Sequence, residues 1–424
     1  MKILIQQACI ADMQSSHHGT VKDILIENGV IQEIRTHISD SSGKVGKIVQ
    51  QKGLYVSPGW VDVFSNFGDP GYEFKESLET GANAAAAGGY TDVFVIPNTK
   101  PVIDAKAQVE YIRQKSRTLP VNIWPIGAIT KNLGGKELAE MYDMQNSGAV
   151  AFGDGIVPVQ SAGLLLKALQ YVKSFDGVII QLPDDTSVGT NGLINEGIIS
   201  TQLGIPGKPI MAEELIIARD IKLARYAESK IHFTGITSPK SLEYIRRAKD
   251  SGLQVTCSVT PYHLFFTDED LVTYDTNLKV YPPLRTRKIV HALREAVMDG
   301  TVDCFATHHL PHEYDSKILE FEYAKYGMTG LETSYAVIKS ILPELKEEKL
   351  AAMLGTSPRK IFGLENYVIE EGKTCCMSLF NPSETWELTE EIIQSKSKNT
   401  PFIGKTLKGK PLGIINGEKV FLND

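Results

Sequence analysis

The middle of the chain alternates between short apolar runs and longer stretches with a helical period. Eight runs rich in β-branched residues stand out: WVDVF (60–64), TDVFVIP (91–97), VNIWPIG (121–127), GAVAFGD (148–154), GVIIQLP (177–183), KIHFTGI (230–236), LQVTCSV (253–259) and VDCFATH (302–308). Between them, ESLETGANAAAAGG (76–89) has an Ala-rich body and a Gly-Gly stop. AEELIIARDIKLARYAES (212–229), SPKSLEYIRRAKDSG (238–252) and IVHALREAVMDG (289–300) carry apolar stripes near period 3.6. Strand then helix, eight times over, predicts an α/β fold, a closed parallel (β/α)8 barrel. An open doubly wound sheet is the competing arrangement, but no Gly-rich phosphate loop follows the first run.

Both ends of the chain read differently. ILIENGVIQEI (24–34) and GIINGEKVF (413–421) each place Asn-Gly between apolar segments, which is the hairpin signature. The pattern predicts a small β domain built from residues 1–53 plus 366–424, with the barrel spanning 54–365. The run from Leu54 to Phe64 reads as one β-rich stretch, ending at Phe64-Ser65-Asn66 before a turn at Gly68-Asp69-Pro70-Gly71.

Charge and cysteines narrow the classes. A formal charge of -7 argues against a nucleic-acid binder, which would concentrate Lys and Arg. No apolar run reaches membrane-spanning length, and MKILIQQACIADMQ has too short an apolar core for a signal peptide. The expected location is the cytoplasm, with no membrane partner. The five cysteines, Cys9, Cys257, Cys304, Cys375 and Cys376, are odd in number and unpatterned, as in reduced thiols. The adjacent Cys375-Cys376 is expected to be buried strand rather than a metal site.

In such a barrel the chemistry sits where the strands exit, and there the blocks are recognisable. SPGWVDVFSNFGDPGYEFKESLETGANAAAAGGYTDVFVIPNTKPVID (57–104), INEG (194–197), AEELIIARD (212–220), KVYPPLR (279–285), CFATHHLPH (304–312), TGLET (329–333) and SKSKNTPFIGKTLKGK (395–410) together resemble the dihydroorotases of the amidohydrolase superfamily, of the bacterial type associated with aspartate transcarbamoylase. The resemblance covers nearly the whole chain. It implies a barrel with a composite β domain and the reversible ring closure of N-carbamoyl-aspartate. That chemistry needs metal-bound hydroxide, usually on zinc, and an Asp to move the proton.

Carried over position by position, the implied ligands are missing. The two His of the first strand fall on Phe64 and Asn66, and the substrate-binding Arg on Gly68. The fifth-strand His falls on Gln181, the sixth-strand His on Gly235, and the catalytic Asp of the eighth strand on His308. A substrate-contacting Asn falls on Tyr281. No catalytic residue is therefore assigned; Phe64, Asn66, Gln181, Gly235 and His308 are degenerate positions. Asn98 and His312 match substrate contacts and are expected as a vestigial binding pair, with local hydrogen bonding as the plain alternative. Phe64 is expected to fill space that absent ions would leave, with Asn66, Gln181 and Tyr281 satisfying one another or water. His232 is expected to be a satisfied structural histidine.

Three functions follow as expectations. The first is a non-catalytic dihydroorotase homologue, free of any cofactor. By resemblance it would be a structural or regulatory partner of the aspartate transcarbamoylase catalytic chain and itself a homo-oligomer. The second is an active cyclic amidohydrolase with a relocated zinc site on Asp154, His263 and His308. The third is a metal-free small-molecule sensor using Asn98 and His312.

Overall fold

The computed structural model describes residues 2–39 and 45–423; the outermost limits of the expected β domain, 1 and 424, lie outside them. The N-terminal strands are β1 (Lys2–Ile10), β2 (Val21–Glu27), β3 (Val30–Arg35), β4 (Lys47–Gln50) and β5 (Tyr55–Pro58). The barrel follows with β6 (Trp60–Ser65), β7 (Tyr90–Val95), β8 (Asn122–Gly127), β9 (Ala151–Phe152) and β10 (Val178–Gln181). After a two-strand ribbon of β11 (Ile194–Asn195) and β12 (Gly207–Lys208), it resumes with β13 (Lys230–Phe233), β14 (Val255–Val259) and β15 (Cys304–Phe305). The chain ends with β16 (Cys376–Glu387), β17 (Thr406–Asn416) and β18 (Lys419–Leu422).

The barrel strands lie side by side from β6 to β15 in chain order, without β11 and β12, and pair in parallel. This is the α/β barrel that the alternation predicts. Its two edges meet just beyond β15. Ser65 and His309 form a parallel bridge there, and Asn66 donates its backbone N–H to the His309 carbonyl at 2.8 Å. The buried Asp62 carboxylate adds a clasp, accepting the Thr307 N–H at 2.6 Å and its hydroxyl at 2.9 Å.

Helices at 78–87, 162–173, 211–227, 239–250 and 287–299 cover the strands. The first is capped by Ser77, which exchanges hydrogen bonds with Thr80. Its Ala-rich face lets it sit close: a Cβ at Gly81 would lie 2.6 Å from the Phe67 ring.

The second sheet runs β18-β17-β16-β5-β1-β2-β3, so both chain ends share it. Here the sequence reading needs one correction. The run from Leu54 to Phe64 is two strands, not one: β5 pairs with β16 in this sheet, while β6 opens the barrel. The break falls at Gly59, where a Cβ would come within 2.2 Å of the Thr91 hydroxyl and 2.7 Å of the Cys376 sulfur. Only glycine lets the chain cross between sheets that tightly. Cys375 and Cys376 are buried at the start of β16, and all five cysteines are free thiols.

Candidate functional site

β6 exits the barrel into Phe64, Ser65 and Asn66. Phe64 is 1% exposed, and its ring centre lies 4.4 Å from that of His308 at an interplanar angle of 31°. The two positions where the resemblance places a metal ligand and a catalytic carboxylate thus hold rings packed on each other. Asn66 turns its side chain back on the backbone, accepting the Gly68 N–H at 2.8 Å. Gly68 has φ +67°, and a Cβ there would lie 2.8 Å from the Tyr72 carbonyl. An arginine at this position would be strained in this turn.

His308 and Gly235 share one space. A Cβ on Gly235 would lie 2.6 Å from His308 Cε1, and Gly235 itself has φ +69°. The imidazole from the eighth strand exit therefore occupies the room that a side chain on the sixth would need. His308 has a left-handed backbone, φ 45°, uncommon for a residue with a Cβ. Its Nε2 lies 2.8 Å from the Thr234 hydroxyl. That contact ends a buried chain through the barrel: Thr256 Oγ1 to His232 Nδ1 (2.9 Å), His232 Nε2 to Ser258 Oγ (3.0 Å), and Ser258 Oγ to Thr234 Oγ1 (3.0 Å). With Ser258 donating to Thr234, the directions run one way: Thr256 donates to His232, His232 to Ser258, and Thr234 to His308 Nε2, so both rings are neutral. Burial lowers the pKa of His232 and of His308 to about 3.

The other degenerate positions are likewise tied off, each to a different partner. Gln181 donates to the Asp220 carboxylate at 3.3 Å and to the Val159 carbonyl at 3.3 Å. Tyr281 packs edge-on against Tyr326, with ring centres 5.6 Å apart, and burial raises its pKa. Asn66 and Gln181 take their protein hydrogen bonds from Gly68 and from Asp220 and Val159, not from one another or from Tyr281.

Asp154, His263 and His308 do not converge. Asp154 accepts the N–H groups of Ile129 (2.8 Å) and Thr130 (3.0 Å) and the Thr130 hydroxyl (2.5 Å), so its carboxylate braces the loop after β8. Both ring nitrogens of His263 are committed, Nδ1 to Thr260 Oγ1 at 2.7 Å and Nε2 to the Pro282 carbonyl at 2.8 Å. Among the described residues no three His, Cys, Asp or Glu side chains gather as a metal-holding group. Zinc needs several such donors converging, and the donor set at these strand exits does not fit it. His309 serves the fold: its Nδ1 accepts the Gly330 N–H at 3.2 Å, and its Nε2 lies 3.5 Å from Glu76.

Outside the packed rings a cleft of about 450 Å3 remains, lined by Asn66, Lys75, Asn98, His312, Lys325 and Tyr326. His312 donates from Nε2 to the Tyr326 carbonyl at 2.9 Å, leaving Nδ1 to accept from Lys75 Nζ at 3.4 Å. Burial and the nearby Lys75 charge lower the His312 pKa to about 4. Asn98 accepts the Ile156 N–H at 3.1 Å and donates to the Asp154 carbonyl at 3.3 Å, so it also holds the 154–156 turn. Both readings of Asn98, cleft lining and local brace, have geometry behind them. Sequence reasoning overlooked Lys75 and Lys325 here, and Thr234, Thr256 and Ser258 within the barrel. The last three carried a signal: His232 and Thr234, and Thr256 and Ser258, alternate on two neighbouring strands, which marks a polar inward face.

Comparison with known proteins agrees with this architecture. The family described as "Dihydro-orotase-like" matches residues 53–241. A dihydroorotase of Caldanaerobacter subterraneus is 40% identical over 413 residues, covering 96% of this chain and 94% of its own. One of Syntrophus aciditrophicus is 37% identical over 428 residues, covering all of both chains. Among solved structures, an L-hydantoinase from Arthrobacter aurescens superposes with a TM-score of 0.86 at 22% identity, covering 99% of this chain and 96% of its own. At that identity the likeness speaks to the fold.

Proposed function

The chain belongs to the dihydroorotase family, and on that premise we propose that it is a non-catalytic member. One observation carries the proposal: Phe64 and His308 pack ring on ring, with Gly235 leaving room for His308, where the resemblance puts metal ligands and the proton-moving Asp. Bulk water ionises with a pKa near 15.7, against about 7 on zinc. The neutral, committed side chains at these exits do not replace that activation. The proposed role is to bind and stabilise, or regulate, the aspartate transcarbamoylase catalytic chain, with this chain itself a homo-oligomer. A partner that binds only the native assembly stabilises it by mass action. No cofactor is required.

The deciding experiment is ring closure of N-carbamoyl-aspartate by the purified chain with zinc supplied, alongside gel filtration with light scattering in the presence of the transcarbamoylase chain. No turnover above background together with a joint peak is the expected result. Enzymatic turnover abolished by His308→Ala would establish an active enzyme of different design instead. Absence of any joint species would remove the partner role.

The cleft at the rim favours a second reading, a metal-free sensor. Its ammonium groups and Asn98 suit a small carboxylate, and His312 is neutral but polar. That reading requires carboxylate-dependent melting that disappears in Asn98→Ala and His312→Ala.

A further inference from the structure

The opposite, N-terminal end of the barrel holds a second cavity, of about 730 Å3. Ligand pockets typically measure about 300–1,000 Å3. One wall is apolar, made by Val178, Ile231 and Val255 at the strand starts and by Met353 and Ile361 from the helices at 347–354 and 356–362. The other wall is cationic: Lys230, Lys249, Lys349 and Lys360 line it against a single acidic residue, Asp303. This concentration is notable in a chain of net charge -7.

The four lysines are not equivalent. Lys230 is paired with Asp176 at 2.6 Å, and Lys249 with Asp303 at 2.5 Å. Lys349 donates to one neutral acceptor, the Met298 carbonyl at 2.6 Å, which leaves two of its three N–H groups. Lys360 is exposed and has no ion pair among the described residues. Two ammonium groups outside any close ion pair thus sit on successive helices beside an apolar wall, with Asp299, itself paired with Arg246, near enough to Lys349 for their charges to interact. Lysine binds phosphate as a point charge, without needing bidentate geometry.

We infer that this cavity binds a small amphipathic anion, a phosphate monoester with an apolar body. The phosphate lies between Lys349 and Lys360, and the body lies against Val255 and Met353. The site is about the barrel's other end and stands whether or not the mouth is catalytic.

The probe is phenyl phosphate, followed by calorimetry and by methyl shifts of 13C-labelled methionine. Saturable binding is expected, with the Met353 methyl shifting. Lys349→Ala/Lys360→Ala should weaken it at least about tenfold, a loss of about 1.4 kcal/mol. Lys75→Ala/Lys325→Ala at the mouth should leave it unchanged. Phenol and inorganic phosphate, each carrying half of the chemistry, should bind at least about tenfold more weakly. Absence of saturable binding, equal binding to the Lys349/Lys360 variant, or loss in the Lys75/Lys325 variant would each overturn the site. Both lysine pairs are at or near the surface, so folding is retained. The methyl shift in the unmodified chain also locates binding without any variant.

Discussion

The interior of the barrel mouth and the cleft just outside it are a few residues apart and are built on opposite principles. Inside, Phe64 and His308 pack ring on ring, Gln181 and His308 Nε2 are hydrogen-bonded, and His308 occupies the space beside Gly235. Outside, Lys75, Asn98 and His312 still line an open cleft. The contrast teaches that two adjoining layers of one scaffold can be finished differently: the interior is packed and internally bonded, while the rim stays open.

The sharpest way to break the contrast is to hollow out the interior. Phe64→Ala should cost about 3–5 kcal/mol of stability by denaturant titration, because a buried ring leaves a cavity that neighbours only partly fill. A cost below about 1 kcal/mol would mean that the interior is loose and the comparison mistaken.

Next comes the shared space. Gly235→Ala should cost about 2–4 kcal/mol, combining overpacking against His308 with a left-handed backbone unfavourable for alanine. Much of the packing part should be recovered in Gly235→Ala/His308→Ala. A coupling energy between the two sites below about 0.5 kcal/mol would show that they do not compete.

Acid should also separate the regions. His232, His263 and His308 have folded pKa values of about 3, against about 6.5 when unfolded. Between those limits the unfolded chain binds more protons at these groups, so their contribution to stability is level above pH 6.5 and falls as pH drops toward 3. Asp62 works in the opposite direction: its folded pKa is raised to about 6 by burial, so its contribution is lost as pH rises toward 6. Comparing variants removes that background. His308→Gln keeps an acceptor for Thr234 and should flatten the acid slope by up to about 1.4 kcal/mol per pH unit, one proton's worth. Unchanged slopes in urea titrations from pH 7 to 4.5 would show that His308 takes up its proton without resistance.

The smallest effect belongs to the rim. Lys75→Ala should shift stability by no more than about 0.5 kcal/mol, since the side chain is half-exposed and its contact with His312 is long. A cost like that of Phe64→Ala would erase the distinction between rim and interior.

The sequence makes some of this legible and hides the rest for definite reasons. Strand order and helix placement follow from periodicity, which is local. That Phe64 and Gln181 stand where the resemblance implies metal ligands, and His308 where it implies an Asp, is visible residue by residue. That His308 fills the room left at Gly235 is not, because it depends on two left-handed backbones and on the distance between separate strands. The division of the Leu54–Phe64 run at Gly59 is hidden likewise, since it arises from Thr91 and Cys376 pressing on the backbone from elsewhere in the chain. Lys75 and Lys325 join one cleft only once the loops are closed over the barrel.

The occupancy shared by Gly235 and His308 also sets an order on change. A side chain large enough to bind metal cannot enter at position 235 while the imidazole is present, so any route toward a metal centre must first alter position 308. Altering 308 alone breaks the hydrogen-bond chain and exposes an unfilled gap, with nothing yet gained. The two positions therefore form one unit of space: a change at either is felt at the other, and a larger residue at 235 calls for a smaller one at 308.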